Sequence, residues 1–252
     1  GRSWMYTEVV ARPRELRPRH SVENQWDLLR AAFPAIGAPD PDLHPVAMGD
    51  HGDASASVAR RWTQHQLDRH DVVIIHVSAG NPFRRWPPGA FEDLAVRLAE
   101  GGANRRIILT SGPSEADAAA RIGAGARTRL GPAGARRLVE IGELSLPELR
   151  AAVQRAALYV GGDSGPLHVA STTTTPIVAL FGPTLAERSA PWRGRSATTI
   201  SVDAGPLPCR PCDQRRCEPG DFRCLSRISP QAVAEAAERA LKTGDGPTTG
   251  AK

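Results

Sequence analysis

The pattern of apolar and polar positions changes character near residue 69. Beyond it, short apolar runs alternate with amphipathic stretches. Residues 72–77 (VVIIHV) form the β-branched run expected of a strand covered on both faces. Residues 91–98 read as a helix, apolar at Phe91, Leu94, Ala95 and Leu98, with Pro87 and Pro88 suited to its start. Residues 106–110 (RIILT) read as a strand and 114–122 as a helix, with Ser114 and Asp117 at capping-box spacing. A short strand over 139–141 precedes a helix capped by Ser145, with Pro147 in its first turn and Glu148 at the third position. Strands over 158–160, 177–181 (IVALF) and 198–202 follow, and Ser229-Pro230 opens a last helix reaching about residue 241. Strands alternating with helices through short loops predict an α/β fold with a doubly wound parallel sheet, Rossmann-like.

The first 68 residues lack this regularity. Residues 25–33 read as one amphipathic helix closed by Pro34, and 58–67 as a second. Between them, Pro39, Pro41, Pro45 and the run from Gly49 to Asp53 read as loop. This segment is not a complete domain by pattern. With no apolar signal core and no initiator Met at Gly1, the expectation is an internal piece of a longer protein.

Composition narrows the class. The 252 residues are 40% apolar and 23% charged, which excludes disordered and fibrous proteins. No stretch approaches the ~20 apolar residues of a membrane span, so a soluble, cytoplasmic chain is expected. The formal charge is +5, but only Lys242 and Lys252 are lysines and the arginines are scattered. Without a basic stripe or interleaved aromatics, nucleic acid is not the expected partner. An anionic small molecule or a membrane-surface acceptor accounts for the excess.

Ligands of doubly wound sheets lie outside the carboxyl ends of the strands. Three loops there carry candidate chemistry. In the first, Ser78, Ala79 and Gly80 let backbone approach a ligand, and Arg84-Arg85 can fork onto phosphate oxygens. Alone, such a pair is equally a solvated surface feature. In the second, Gly161-Gly162-Asp163-Ser164-Gly165-Pro166-Leu167-His168 runs from a strand into a helix. Ser164 and Gly165 present amides where the helix dipole suits a diphosphate, and Asp163 and His168 flank them. Singly, Asp163 reads as a helix cap and His168 as a core histidine; their joint placement favours a ligand site. In the third, Phe181-Gly182-Pro183-Thr184 turns tightly and brings a Thr184 hydroxyl to a ligand.

Together these loops resemble glycosyltransferase family 9, the lipopolysaccharide heptosyltransferases, over about residues 70–242. The resemblance rests on HVSAGNPFRRWP, GGDSGPLHVAS and FGPT. It implies the C-terminal half of a GT-B fold, binding a nucleotide-sugar donor, usually ADP-heptose, with no metal or other cofactor. Residues 1–68 then trail from an acceptor domain, 69–242 bind donor, and 243–252 form a disordered tail. By position, Arg84 replaces a usual Lys on the donor phosphate. Asp163, Ser164, Gly165 and His168 hold sugar hydroxyls and diphosphate. Gly112 and Ser114 meet the nucleoside, Leu144 lines the base pocket and Thr184 steadies the leaving group. Ser78 and Ala79 belong to the donor loop, where Gly80 stands in place of a common Ser or Thr. The catalytic base is expected in the acceptor half. The implied acceptor is a lipid-linked saccharide, with peripheral contact at the inner membrane.

Competing readings are a nucleotide-sugar binding module without transfer and a GT-B-type sugar-nucleotide epimerase. Asp40-Pro41-Asp42 resembles a metal-holding Asp-x-Asp but lies in a Pro-rich loop outside the sheet, and receives no role. Cys209, Cys212, Cys217 and Cys224, spaced two, four and six residues apart, allow either a structural zinc or reduced packing cysteines.

Overall fold

The computed structural model describes residues 3–7, 9–10, 19–77 and 80–243. Among them, β1 (Asp71–His76), β2 (Arg105–Thr110), β3 (Leu138–Val139), β4 (Leu158–Gly162), β5 (Ile177–Phe181) and β6 (Thr199–Asp203) form one parallel sheet. Its order is β3-β2-β1-β4-β5-β6, so the winding reverses between β1 and β4 and opens a crevice at their carboxyl ends. The register keeps those ends level: His76 pairs with Thr110 and Gly161, Leu180 with Gly162, and Phe181 with Asp203.

The helices are α1 (Ser21–Ala32), α2 (Gly52–Gln64), α3 (Pro88–Glu100), α4 (Ala116–Ala135), α5 (Leu146–Arg155), α6 (Gly165–Ala170), α7 (Ala186–Ser189), α8 (Arg223–Ser226) and α9 (Pro230–Thr243). Strand alternation divides the apolar side chains between two faces. Val73, Ile75, Ile107, Val160 and Val178 pack with α3, α4 and α9. Val72, Ile74, Ile108, Tyr159 and Phe181 pack with α2, α5 and α6. Helix α2 lies before residue 69, yet its Val58 and Trp62 are buried in this second core. The sequence division at 68/69 therefore does not mark a break in packing.

Several boundaries differ from the sequence reading. Helix α1 begins at Ser21 because His20 caps it: Nδ1 of His20 accepts from the Val22 amide, and Glu23 accepts from the His20 amide. Helix α2 begins at Gly52, inside the expected loop. Ser114 caps nothing; a 3-10 turn over Pro113–Glu115 leads into α4. That segment stays helical through Gly123 and Gly125, well beyond residue 122, breaks at Gly131 (φ 66°) just before Pro132, and ends at Ala135. Gly125 is an approach point, since a Cβ there would strike the Glu92 carboxylate of α3. The strand expected over 139–141 is reduced to Leu138–Val139. The last helix includes Thr243, and the rest of the expected tail lies outside the described residues.

Candidate functional site

Strand β4 ends in Gly161-Gly162, and the chain turns at once into α6. Crowding requires the first of these glycines. A Cβ at Gly161 would stand 2.7 Å from the Tyr159 hydroxyl, whereas one at Gly162 would lie in ordinary contact with the Arg84 carbonyl at 3.6 Å. The turn places Asp163 in the crevice facing the loop after β1. That loop is shaped by Asn81, whose Oδ1 accepts from the Phe83 amide and opens a 3-10 turn ending at Arg84.

Arg84 Nη1 donates to the Asp163 carboxylate at 3.1 Å and to its carbonyl at 3.3 Å. The Thr184 hydroxyl donates to the same carboxylate at 2.6 Å, and the Ser189 hydroxyl at 3.3 Å. His168 Nε2 stands 3.8 Å from its other oxygen. Asp163 is only 3% exposed. Burial opposes its charge, but His168, Thr184 and Arg84 outweigh burial and hold its carboxyl below the usual carboxylate range. An ionised Asp163 is thus an acceptor and a charge anchor.

The expected residues divide by their surroundings. Arg84, Asp163, His168 and Thr184 converge. Thr184 differs in one respect, because its proton is engaged by Asp163 instead of being directed at a ligand. Ser164 donates its hydroxyl to the Gly162 carbonyl at 3.2 Å and caps none of the amides of α6. Open space surrounds Gly165 and Gly80, where an added methyl would touch nothing within 4 Å. Ser78 and Ala79 lie outside the described residues.

Beside this cluster is a cavity of about 300 Å³ under the ends of β1, β2 and β3. Gly112 and Leu144 line it with His76, Ile107, Leu109 and Ile141; Ser114 does not line it. His76 is 2% exposed, its Nδ1 lies 3.0 Å from the Thr110 hydroxyl, and burial lowers its pKa to about 4 against the opposing charge of Glu115. The imidazole is therefore neutral at pH 7. Arg85 joins the two regions, donating to buried Glu115 at 2.7 Å in the turn after β2.

Sequence reasoning did not reach Gln214, Ser189 or Glu115. Gln214 Oε1 accepts from Arg84 Nε at 2.7 Å and from Asn81 Nδ2 at 2.8 Å. Its 130-residue separation from Arg84 left no local signal. The surrounding cysteines are free and line one small cavity of about 130 Å³ with Phe83, Pro183 and Phe222. Burial and the neighbouring Cys212, Cys209 and Cys217 push the Cys224 thiol up, favouring its neutral form. Among the described residues no cluster of His, Cys, Asp or Glu is arranged to hold a metal ion. The Asp40 and Asp42 carboxylates pair with Arg195. No helix of the described residues is long and apolar enough to cross a membrane.

A six-stranded parallel sheet with a basic loop facing a buried carboxylate at its switch point defines a Rossmann-like α/β protein with a crevice suited to phosphate. The family match is more specific. Glycosyltransferase family 9 (heptosyltransferase) matches residues 2–219, and the chain belongs to that family. A lipopolysaccharide heptosyltransferase 3 of Escherichia coli is 32% identical over 164 residues, covering 64% of this chain and 45% of the relative. A lipooligosaccharide heptosyltransferase 2 of Campylobacter jejuni is 34% identical over 85 residues, covering 34% of this chain and 26% of the relative. The chain thus spans less than half the length of these two relatives.

Solved structures share the fold. A family 9 glycosyltransferase from Veillonella parvula superposes with a TM-score of 0.67 at 20% identity, over 90% of this chain and 61% of that one. The E. coli heptosyltransferase WaaC with ADP gives 0.57 at 18% identity, over 89% of this chain and 58% of that one.

Proposed function

We propose that this chain holds the nucleotide-sugar site of an inverting glycosyltransferase, with a heptose on a nucleoside diphosphate as donor. The observation that carries this reading is the meeting of Arg84 with a charged, buried Asp163 at the switch point, beside a largely apolar cavity. The cavity suits a planar base. Arg84, the start of α6 at Ser164-Gly165, and the Gly80 backbone suit the diphosphate. Asp163 and His168 suit sugar hydroxyls. In transfer, an acceptor oxygen attacks the anomeric carbon as the bond to the diphosphate breaks. Positive charge grows on the sugar ring and negative charge on the departing nucleotide. Arg84 and the oriented amides stabilise the latter without reorganising.

Asp163 is poorly suited to take the acceptor's proton, because Arg84, Thr184 and Ser189 already stabilise its ionised form. Asp163 is therefore not assigned as the base, and that role is left to the acceptor half of the family fold. Relatives named for lipopolysaccharide and lipooligosaccharide heptose transfer support a surface-glycan acceptor. A lipid carrier for that acceptor and peripheral contact at the cytoplasmic face of the inner membrane are part of the same proposal. The solved complex of WaaC with ADP supports ADP as the nucleotide.

Calorimetric titration with ADP, UDP and GDP, and with their sugars, tests the reading. Saturable ADP binding supports a heptose donor. Tighter UDP or GDP binding keeps the site and changes the sugar. A folded sample that binds none of the three overturns the proposal. Binding without transfer to any acceptor favours a donor-binding module, and release of epimerised donor without acceptor favours an epimerase.

A further inference from the structure

The segment between β6 and α8 is tied back onto the crevice. The Cys212 amide donates to the Pro183 carbonyl at 3.3 Å. Arg210 donates from Nη2 to the Thr184 carbonyl at 2.8 Å and from Nη1 to the Gly205 carbonyl at 3.0 Å. Phe222 packs on Phe83 with ring centres 5.6 Å apart. These anchors hold Gln214 in the left-handed region, φ 60°, which non-glycine residues seldom occupy unless their surroundings impose it. From there one oxygen, Oε1, accepts from both Arg84 and Asn81.

We infer that Gln214 is a positioning residue for the donor diphosphate, acting through Arg84. The inference rests on the reading of Arg84 as the phosphate-binding guanidinium. A guanidinium has five N–H donors in a rigid plane. Here Nε is held by Gln214 and Nη1 by Asp163, while Nη2 makes no hydrogen bond among the described residues. Two anchors on two different nitrogens fix the plane, and the Nη2 donors remain for a phosphate oxygen. Without Gln214 the side chain rests on Asp163 alone. It is then free to turn its remaining donors onto that carboxylate, in competition with the ligand. Asn81 completes the arrangement, since its other amide atom shapes the turn that carries Arg84.

The test uses this chain and calorimetric titration with ADP and with adenosine. Gln214→Ala should weaken ADP binding five- to tenfold and leave adenosine binding unchanged. Gln214→Gly keeps the test open should the alanine variant fold poorly, because glycine accepts φ 60° and removes the same side chain. It should show the same loss for ADP alone. In an Arg84→Ala background, either substitution should add less than a twofold effect, since both act through one guanidinium. Equal losses for ADP and adenosine, additive losses in the double variants, or wild-type ADP binding by Gln214→Gly would each overturn the inference. If Arg84→Ala leaves ADP affinity unchanged, the donor-site reading fails, and the role of Gln214 falls with it.

Discussion

Two regions meet at the carboxyl ends of the strands, and they are built on opposite principles. Around Asp163 the side chains are charged or hydroxylic, and the carboxylate accepts from three of them. Under β1 to β3 the walls include Ile107, Leu109, Ile141 and Leu144, and the buried histidine there is neutral at pH 7. The first region spends its geometry on direction, since hydrogen bonds to charged groups reward alignment. The second offers shape and apolar contact, with Thr110, Arg127, Glu140 and Glu143 also on its wall, which suits a flat body of the right size carrying a few polar edges. A nucleoside diphosphate has one part for each. The Arg85–Glu115 pair links the loop after β1 to the turn after β2.

Separating the two regions is the sharpest way to test this division. Arg84→Ala should reduce ADP affinity about ten- to a hundredfold, ~1.4–3 kcal/mol, the range for hydrogen bonds to charged groups. Adenosine affinity should hold in the same calorimetric titration, and a parallel fall for both ligands would dissolve the distinction.

Acidity should act on the apolar region first. The pKa of His76 is about 4 in the fold against 6.5 for the free side chain. Well above pH 6.5 neither state is protonated there, and the group contributes little pH dependence. As pH falls from 6.5 towards 4 the unfolded state gains the proton first, and stability should drop by about 2 kcal/mol between pH 7 and 5. Urea unfolding at both pH values measures this drop. A His76→Gln variant with an undiminished slope would contradict the assignment. Asp163, with its lowered pKa, adds a loss of the same sign at more acidic pH.

Leu144→Glu should weaken ADP and adenosine alike, by about tenfold, because it sets a charge against an apolar wall. Selective loss of ADP alone would move Leu144 out of the base pocket. The smallest effect belongs to Ser189→Ala. Its 3.3 Å bond to Asp163 is backed by Thr184 and Arg84, so ADP affinity should change less than threefold, below about 0.7 kcal/mol.

The sheet was legible because strands buried on both faces need apolar residues at every position, not at alternate ones. Residues 72–77 and 177–181 therefore stand out, and their carboxyl ends point to the loops that matter. Helix limits were harder. The cap of α1 is a histidine, a residue outside the usual capping set. Helix α4 was expected to end at residue 122, whereas it continues past Gly125, where the absence of a side chain admits Glu92 of α3. In the site, Arg84, Asp163, His168 and Thr184 were all visible in their motifs. The direction of each hydrogen bond was not.

Taken by itself, the order of residues determines that this is a doubly wound α/β chain with a basic loop and an Asp-Ser-Gly turn at strand ends, because those patterns are local. The tertiary structure alone decides that Asp163 is surrounded by donors, that Thr184 turns its proton inward, and that Gln214 reaches Arg84. Hydrogen bonds between distant segments depend on where the loops end in space. That is set by the level register of the strands and the reversal between β1 and β4, which no run of neighbouring residues records.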